Sequence, residues 1–352
     1  MLVYFSLLAI IMILCAFPSY NPNKNNFKLL FCILLIFLFM ALRVDYGGDY
    51  SSYEEYFNYF HSGGSANANT VEMGFYWLVY FMPSYRMLLV FIALLFCGAL
   101  YFLFRNYIPV TYWAFAFFIL FISKSMFIGN MSGIRNSIAV SAFIYGLYFL
   151  ENGSKLRYIL LMLGASFFHT SALIFLPAIF ITPNKLSKFE IGLLIVVIIS
   201  FSLISAISPE RINELVKLTI STSYFSRYET YLVNEKISGL RQLSYLLLLF
   251  MLYLNIKTLT KPLTKRESLL IKLSILYFIV MLAPSIGLMS RLYFFLGFPF
   301  LVGSIYIINK EKNIILKYAY TSCILLMFGI EFYSFAMSER FALLYLNYHS
   351  IL

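Results

Sequence analysis

Apolar runs of about 16 to 25 residues recur from one end of this chain to the other, and the polar interruptions between them are too short to hold a soluble domain. A run of this length can cross a bilayer as a helix, in which every backbone N–H and C=O finds its partner within the segment. The pattern therefore predicts an all-α polytopic integral membrane protein, built as a single transmembrane helical domain over residues 1–352.

Composition and charge agree with this fold class. Only 12% of the residues are charged, against roughly 25% in soluble domains. The net charge of +11 arises from Lys and Arg in short gaps between apolar runs, as topology signals do, so no nucleic-acid partner is expected. The four cysteines lie inside apolar runs without CxxC spacing, so neither a disulfide framework nor a metal site is indicated, and no cofactor is expected.

The apolar runs predict about twelve transmembrane helices, including a short hairpin near 156–181. A hairpin is favoured there because a single crossing would move every later basic loop to the outer side. Its turn is expected at Ser166–Thr170, which places His169 near the outer side of the membrane. The remaining spans are predicted near 2–17, 27–42, 85–105, 110–123, 134–151, 189–207, 241–258, 268–283, 291–309 and 314–335.

Two segments on the outer side are longer than connectors need to be, and we predict external loops at 43–84 and 208–240. The first carries a dense group of carboxylates and tyrosines after Arg43, and its part 71–78 predicts a short interfacial helix with an aromatic face. The second alternates charged and apolar positions, which favours an amphipathic helix or a lid.

Two arginines open predicted spans from the outer side, Arg135 and Arg291. Guanidinium matches phosphate oxygens in a bidentate geometry, so an anionic ligand is one interpretation. Snorkelling of Arg135 to the interface and a salt bridge from an arginine to Asp45 or Asp49 are the alternatives.

His169 is the histidine that falls at membrane depth, where it is either a hydrogen-bonded packing residue or a base for a hydroxyl group. The chain has no HExxH, no GxSxG and no glycine-rich loop followed by Lys. Metal hydrolysis, serine hydrolysis and nucleotide-driven transport therefore have no support in its motifs.

Five short motifs follow one another in order along the chain. They are Arg43-x-x-x-Gly47-x-Asp49-x-x-x-Tyr53, Glu72-x-Gly74-Phe75, Gly133-Ile134-Arg135-Asn136-x-Ile138-Ala139, Phe168-His169-Thr170-Ser171-Ala172-Leu173-Ile174 ending in Pro177, and Arg291-x-x-x-Phe295. This ordered set resembles the EpsG-like, Wzy-type polysaccharide polymerases. The departures from the family pattern are Met73, where Pro is common, and Asn136, where Gln is common but the amide is kept.

The resemblance implies a metal-independent glycosyltransferase of the bacterial inner membrane whose active site faces the periplasm or the outside. It would transfer a growing glycan from undecaprenyl diphosphate to the next undecaprenyl-diphosphate-linked oligosaccharide, for O-antigen, capsule or exopolysaccharide synthesis. Membrane lipid and a chain-length co-polymerase protein are the implied partners.

The resemblance also implies roles for individual residues. Arg135 and Arg291, with Arg43, would contact the diphosphate, and His169 or Asp49 would be the catalytic base. Tyr53 and Glu72 are candidates for sugar binding. The alternatives are an O-antigen ligase-like glycosyltransferase, a flippase or transporter of lipid-linked oligosaccharide and, more remotely, a membrane acyltransferase using His169.

Overall fold

The computed structural model describes residues 2–64, 71–181, 239–259, 263–282, 287–338, 344–345 and 348–350. Within these ranges the chain divides into two compact units, Phe180–Glu331 and a larger unit made of Met1–Ile179 with Phe332–Leu352. The prediction of a single membrane domain stays a prediction.

The larger unit is built almost entirely from helices, and the predicted all-α class is confirmed there. A π-helical turn, Lys124–Ile128, and two 3₁₀ segments, Val110–Tyr112 and Thr170–Phe180, join or extend the α-helices. The α-helices are α1 Leu2–Ala16, α2 Pro22–Leu42, α3 Tyr50–His61, α4 Met73–Phe81, α5 Tyr85–Tyr107, α6 Trp113–Ile122, α7 Gly129–Ser132, α8 Ile134–Glu151 and α9 Lys155–Ser166.

The second unit contains helices that pack through aromatic rings and close backbone contacts. Tyr277 stacks on Phe300 with ring centroids 4.7 Å apart. Near one end of these helices, the Glu311 carboxylate accepts hydrogen bonds from the Thr258 hydroxyl and the Asn313 N–H, which ties the end of the first helix to the connector between the last two. The helices are α10 Gly239–Thr258, α11 Lys265–Leu282, α12 Gly287–Lys310 and α13 Ile314–Ala336, whose last turn belongs to the larger unit.

Four described helices are long and apolar enough to cross a bilayer: Pro22–Leu42, Tyr85–Tyr107, Leu292–Lys310 and Ile314–Ala336. Val110–Ile122 and Lys124–Ser132 make a fifth if they form one broken span, bent by 72°. The several apolar helices agree with a membrane protein, while the count of about twelve spans is not confirmed. The predicted span 189–207 and the predicted loop 208–240 lie outside the described residues.

The predicted hairpin is a region where the chain turns back on itself. The hydroxyl of Tyr158 in α9 donates to the carbonyl of Phe175 in the 3₁₀ segment, at 2.8 Å. One straight helix would separate these two residues by about 25 Å, so the chain must reverse between them. The reversal lies at 167–169, within the predicted turn. The Tyr158 ring packs close to Gly146 of α8, where a Cβ atom would come within 2.9 Å of it.

The segment 43–84, predicted as an external loop, consists mainly of two packed helices. Tyr53, Phe57 and Phe60 recur on one face of α3 and are buried, whereas the serines and carboxylates of the opposite face are exposed. This face packs with Phe75 and Val79 of α4 in one hydrophobic cluster. The short helix predicted at 71–78 is present as α4, and its interfacial position stays a prediction.

A short two-stranded sheet joins this segment to residues near the C-terminus. Strand β1 (Arg43–Val44) pairs antiparallel with β2 (His349–Ser350). Beside it, the backbone N–H of Gly48 donates to both the Ser132 hydroxyl and the Tyr345 hydroxyl, each at 3.0 Å. These contacts fix the start of α3 against the end of α7. Gly133 alone separates the end of α7 from the start of α8.

Candidate functional site

The Glu72 carboxylate is the centre of a polar cluster that joins three distant parts of the larger unit. Its Oε2 accepts a hydrogen bond from Nη1 of Arg135 at 2.6 Å. Its Oε1 accepts from the backbone N–H of Thr170 at 3.2 Å and from the hydroxyl of Thr170 at 2.8 Å. Nδ1 of His169 lies 3.4 Å from the same Oε1. One carboxylate thus holds a guanidinium and an imidazole side by side.

A close backbone contact places Glu72 beside His169. The N–H of Gly74, in the first turn of α4, donates to the carbonyl of Phe167 at 2.9 Å. A Cβ atom at position 74 would lie 2.6 Å from that carbonyl oxygen, so this approach requires glycine. Glu72 precedes Gly74 by two residues and His169 follows Phe167 by two. The spacing of the Glu72-x-Gly74 motif is therefore explained by the turn that it contacts.

Arg135 is placed by the buried start of α8. The neighbouring Asn136 donates from Nδ2 to Oδ1 of Asn130 at 2.9 Å, and Nδ2 of Asn130 donates to the carbonyls of Ser125 and Met126, both at 3.0 Å. This amide chain ties α7, α8 and the π-helical turn together, so it limits the positions that Arg135 can take. The Asn136 amide therefore has a structural use.

Two aromatic rings surround the Arg135 guanidinium. Its central carbon lies 5.7 Å from the ring centroid of Tyr53 and 5.8 Å from that of Phe75, within the range of cation–π attraction. Nε donates to the Tyr53 hydroxyl at 3.4 Å. No acceptor for Nη2 is found among the described residues, and the side chain is 21% exposed. The Nη2 edge is therefore the part of the Arg135 guanidinium without a described protein acceptor.

Glu72 is ionised in this environment. Burial alone raises the pKa of its carboxyl, but the contact with His169, the positive charge of Arg135 and the hydrogen bond from Thr170 outweigh burial and hold the pKa below its usual range. Near neutral pH the cluster consequently contains an ion pair between Glu72 and Arg135 and a negative charge beside the imidazole.

Arg43, Asp49 and Arg291 are the remaining predicted site residues. Arg43 is only 2% exposed, and its guanidinium donates to the carbonyls of Met40 and Met131 at 2.9 and 2.7 Å. These two hydrogen bonds join the end of α2 to α7. Asp49 is a partly exposed residue directly before α3. Arg291 lies in α12 of the other unit, and its side chain is outside the described residues.

Thr170 and Phe75 are contributors that the sequence did not single out. Thr170 directly follows His169, and Phe75 lies three residues after Glu72, each within a motif quoted above. Proximity in sequence to a candidate site residue is therefore the signal that could have found them. No group of three or more His, Cys, Asp or Glu side chains is placed to bind a metal ion within the described ranges.

Comparison with known proteins supplies the family. A model of the EpsG family matches residues 26–350, nearly the whole chain. No curated protein and no solved structure matches it. The matched range contains the whole Glu72 cluster and every described helix from α3 to α13, and it confirms the resemblance that the ordered motifs indicated. The chain therefore belongs to the EpsG family, a family of Wzy-like polymerases.

Proposed function

We propose that this protein is a polysaccharide polymerase that moves a growing glycan from undecaprenyl diphosphate to a hydroxyl of the next lipid-linked repeat unit. The observation that carries the proposal is the Glu72 cluster. It presents a guanidinium with one unused edge beside an imidazole, and the reaction requires an anion site next to a proton acceptor. Membership of the EpsG family supports a polymerase-like role.

The reaction exchanges one bond for another at the anomeric carbon of the growing glycan. The acceptor hydroxyl oxygen forms a bond to that carbon, while the bond to the diphosphate oxygen breaks and the diphosphate leaves with the bonding electron pair. The hydroxyl proton passes to a base. Nη2 of Arg135 would bind the departing diphosphate, whose negative charge grows as the bond breaks.

His169 is the base in this proposal. The ionised Glu72 beside Nδ1 favours a proton on that nitrogen, so Nε2 would be the basic nitrogen that takes the proton of the acceptor hydroxyl. Asp49 is retained as the second candidate for the base. Glu72 is assigned here to positioning of Arg135 and His169 rather than to sugar binding, because both of its oxygens are occupied by protein donors.

Tyr53 would present its ring to sugar as well as to Arg135, since aromatic faces pack against the apolar faces of sugars. Arg291 stays a candidate for a second diphosphate contact. Arg43 is left out of the substrate site because both of its terminal nitrogens donate to backbone carbonyls. The inner-membrane location, the outward-facing site and the co-polymerase partner are parts of the same proposal.

The test uses the purified full-length protein in lipid nanodiscs with one defined undecaprenyl-diphosphate-linked repeat and no other acceptor. A polymerase makes a ladder of products. A ligase makes none without its own acceptor, and a flippase moves the labelled repeat between leaflets of a vesicle at unchanged size. Either of these results in place of a ladder contradicts the proposal.

Matched variants assign the residues in the same assay. Arg135→Ala and His169→Ala should abolish the ladder, whereas Arg105→Ala and His61→Ala should keep it. Arg105 and His61 are exposed residues of the same types that lie outside the cluster. Wild-type product lengths in Arg135→Ala or His169→Ala would disprove the site assignment while leaving the polymerase assignment intact.

A further inference from the structure

Helix α4 has two opposed faces along its nine residues. Phe75 and Val79 are buried in the cluster with α3 and α5. Met73, Trp77, Tyr80 and Phe81 are all exposed. At 100° per residue these four side chains lie within one sector, opposite the buried pair. One face is thus covered by protein and the other is left uncovered along the whole helix.

The exposed face of α4 is apolar and aromatic. Trp77 is 48% and Phe81 is 73% exposed, and α4 contains no charged residue. Trp77 lies against both Tyr80 and Phe81, with ring centroids 5.9 Å apart in each pair. Trp and Tyr have an apolar body with a polar tip, and they concentrate at membrane–water interfaces for that reason. The exposed face formed by Met73, Trp77, Tyr80 and Phe81, called the ridge below, has the chemistry of a surface that meets lipid headgroups and the first part of the acyl chains.

Exposed apolar side chains are also found on the neighbouring candidate membrane span. Helix α4 ends at Phe81 and α5 begins at Tyr85, with Met87 and Leu94 exposed along it. The one charged residue between Phe81 and Met87 is the partly buried Arg86, whose guanidinium donates to the carbonyls of Ala41 and Arg43. An apolar surface on α4 that is followed by apolar side chains on a candidate membrane helix favours the bilayer as its occupant over a protein partner.

We propose that α4 lies flat in the headgroup region of the bilayer, with Trp77, Tyr80 and Phe81 inserted into lipid. A helix of nine residues is only about 14 Å long, and lying flat it keeps both ends at one depth. Glu72 directly precedes α4, so the Glu72–Arg135–His169 cluster is held at the depth of the lipid phosphates. A diphosphate attached to a membrane lipid reaches Nη2 of Arg135 without its tail leaving the bilayer, a consequence that rests on the proposed function.

The chain provides its own probe, because it contains two tryptophans, Trp77 and Trp113. Trp113 is buried and its indole N–H donates to the carbonyl of Ile108. The variant Trp113→Phe therefore leaves Trp77 as the single emitter. The reciprocal variant Trp77→Phe leaves Trp113, and its fluorescence quenching serves as the reference for a tryptophan buried in protein.

Trp113→Phe is reconstituted in phosphatidylcholine vesicles whose acyl chains carry bromine either near the headgroup or near the methyl end. We expect a larger loss of Trp77 fluorescence with the bromine near the headgroup than with the deep bromine, and little loss with acrylamide in water. Strong acrylamide quenching without lipid quenching would overturn the proposal, as would stronger quenching by the deep bromine. Emission protected from all three quenchers would show that a second copy or another protein covers the ridge, and would overturn it too.

A second variant separates this inference from the proposed function. Trp77→Lys places a charge on the exposed face without removing any buried side chain, so the protein should fold as before. Polymerisation from a vesicle-bound substrate should fall in Trp77→Lys. If the quenching pattern is as expected but neither the wild type nor any variant makes a ladder, the proposed function is wrong and the position of α4 still stands. If the wild type makes ladders but the quenching pattern is absent, the interfacial position of α4 is wrong and the proposed function still stands.

Discussion

Arg135 and Glu72 are 63 residues apart in sequence, yet Nη1 of the first lies 2.6 Å from Oε2 of the second. The same carboxylate reaches Thr170 across 98 residues. Glu72 therefore determines how α4, α8 and the 167–169 turn are arranged, and changing it tests the site and the fold together.

Glu72→Gln should abolish or strongly reduce polymerisation and lower stability by about 1.5–3 kcal/mol, the usual range for hydrogen bonds to charged groups. The amide keeps an acceptor for Thr170 but leaves the Arg135 charge without its partner. Product ladders and thermal unfolding in detergent measure the two effects. The matched control is Glu55→Gln on the exposed face of α3, which should change neither; equal losses in both variants would contradict the central role of Glu72.

The stability that Glu72 contributes should depend on pH in one direction. Its pKa in the folded protein is lowered below the ordinary value of 4.5, so its contribution is fully present above that value. The contribution is lost as the pH falls below 4.5 towards the pKa of the folded state. The difference in unfolding temperature between wild type and Glu72→Gln should accordingly be constant near neutral pH and shrink in acid. A difference that grows in acid would refute the ionised assignment.

Gly74→Ala should separate α4 from the 167–169 turn, because the added Cβ meets the Phe167 carbonyl oxygen at 2.6 Å. We expect a loss of about 1–3 kcal/mol and a large fall in activity, since the shift displaces Glu72 from Thr170. Gly164→Ala is the control, because nothing lies within 4 Å of a Cβ there. In the last turn of α9 it should be neutral or stabilising by at most about 0.5–1 kcal/mol. Similar destabilisation of both variants would remove the steric explanation.

Arg43→Lys distinguishes a structural arginine from one that binds substrate. Lysine keeps the charge but cannot serve both carbonyls in the same fork geometry, so the thermal stability should fall. The KM for the lipid-linked repeat should be unchanged in the protein that remains folded. For Arg135→Lys the expectation is reversed, with the larger effect on KM and kcat. A raised KM with normal stability in Arg43→Lys would return Arg43 to the substrate site.

In the sequence, Arg43 and Arg135 each lie at the end of an apolar helix. The sequence alone does not tell which of the two binds substrate and which has a structural role. Their difference depends on which backbone carbonyls and carboxylates other segments bring close, namely Met131 for Arg43 and Glu72 for Arg135. Apolar length and motif order were sufficient for the helical class, the family and the turn near His169. The Gly74–Phe167 contact is long-range, and no periodicity reveals it.

The pairing of β1 with β2 had no signal in the sequence either. Two-residue strands pair through backbone groups, so their side chains carry almost no pattern, and Tyr345 and Tyr348 lie among other aromatic residues. The segment 43–84 was predicted as a loop because serines and carboxylates dominate its start. The spacing of Tyr53, Phe57 and Phe60 places these three residues on one helical face, and that spacing is the signal that indicates α3.

The β1–β2 pairing has a consequence for the order in which the protein is made. Val44 pairs with His349, about 300 residues later, and a ribosome adding about 5–20 residues per second needs roughly 15–60 s to cover that distance. During this time the start of α3 is without its strand partner and without the Tyr345 hydroxyl. Membrane insertion of the early helices therefore precedes the contacts that fix the segment carrying Tyr53. A nascent chain arrested before residue 344 would lack both the β1–β2 pairing and the hydrogen bond to the Tyr345 hydroxyl.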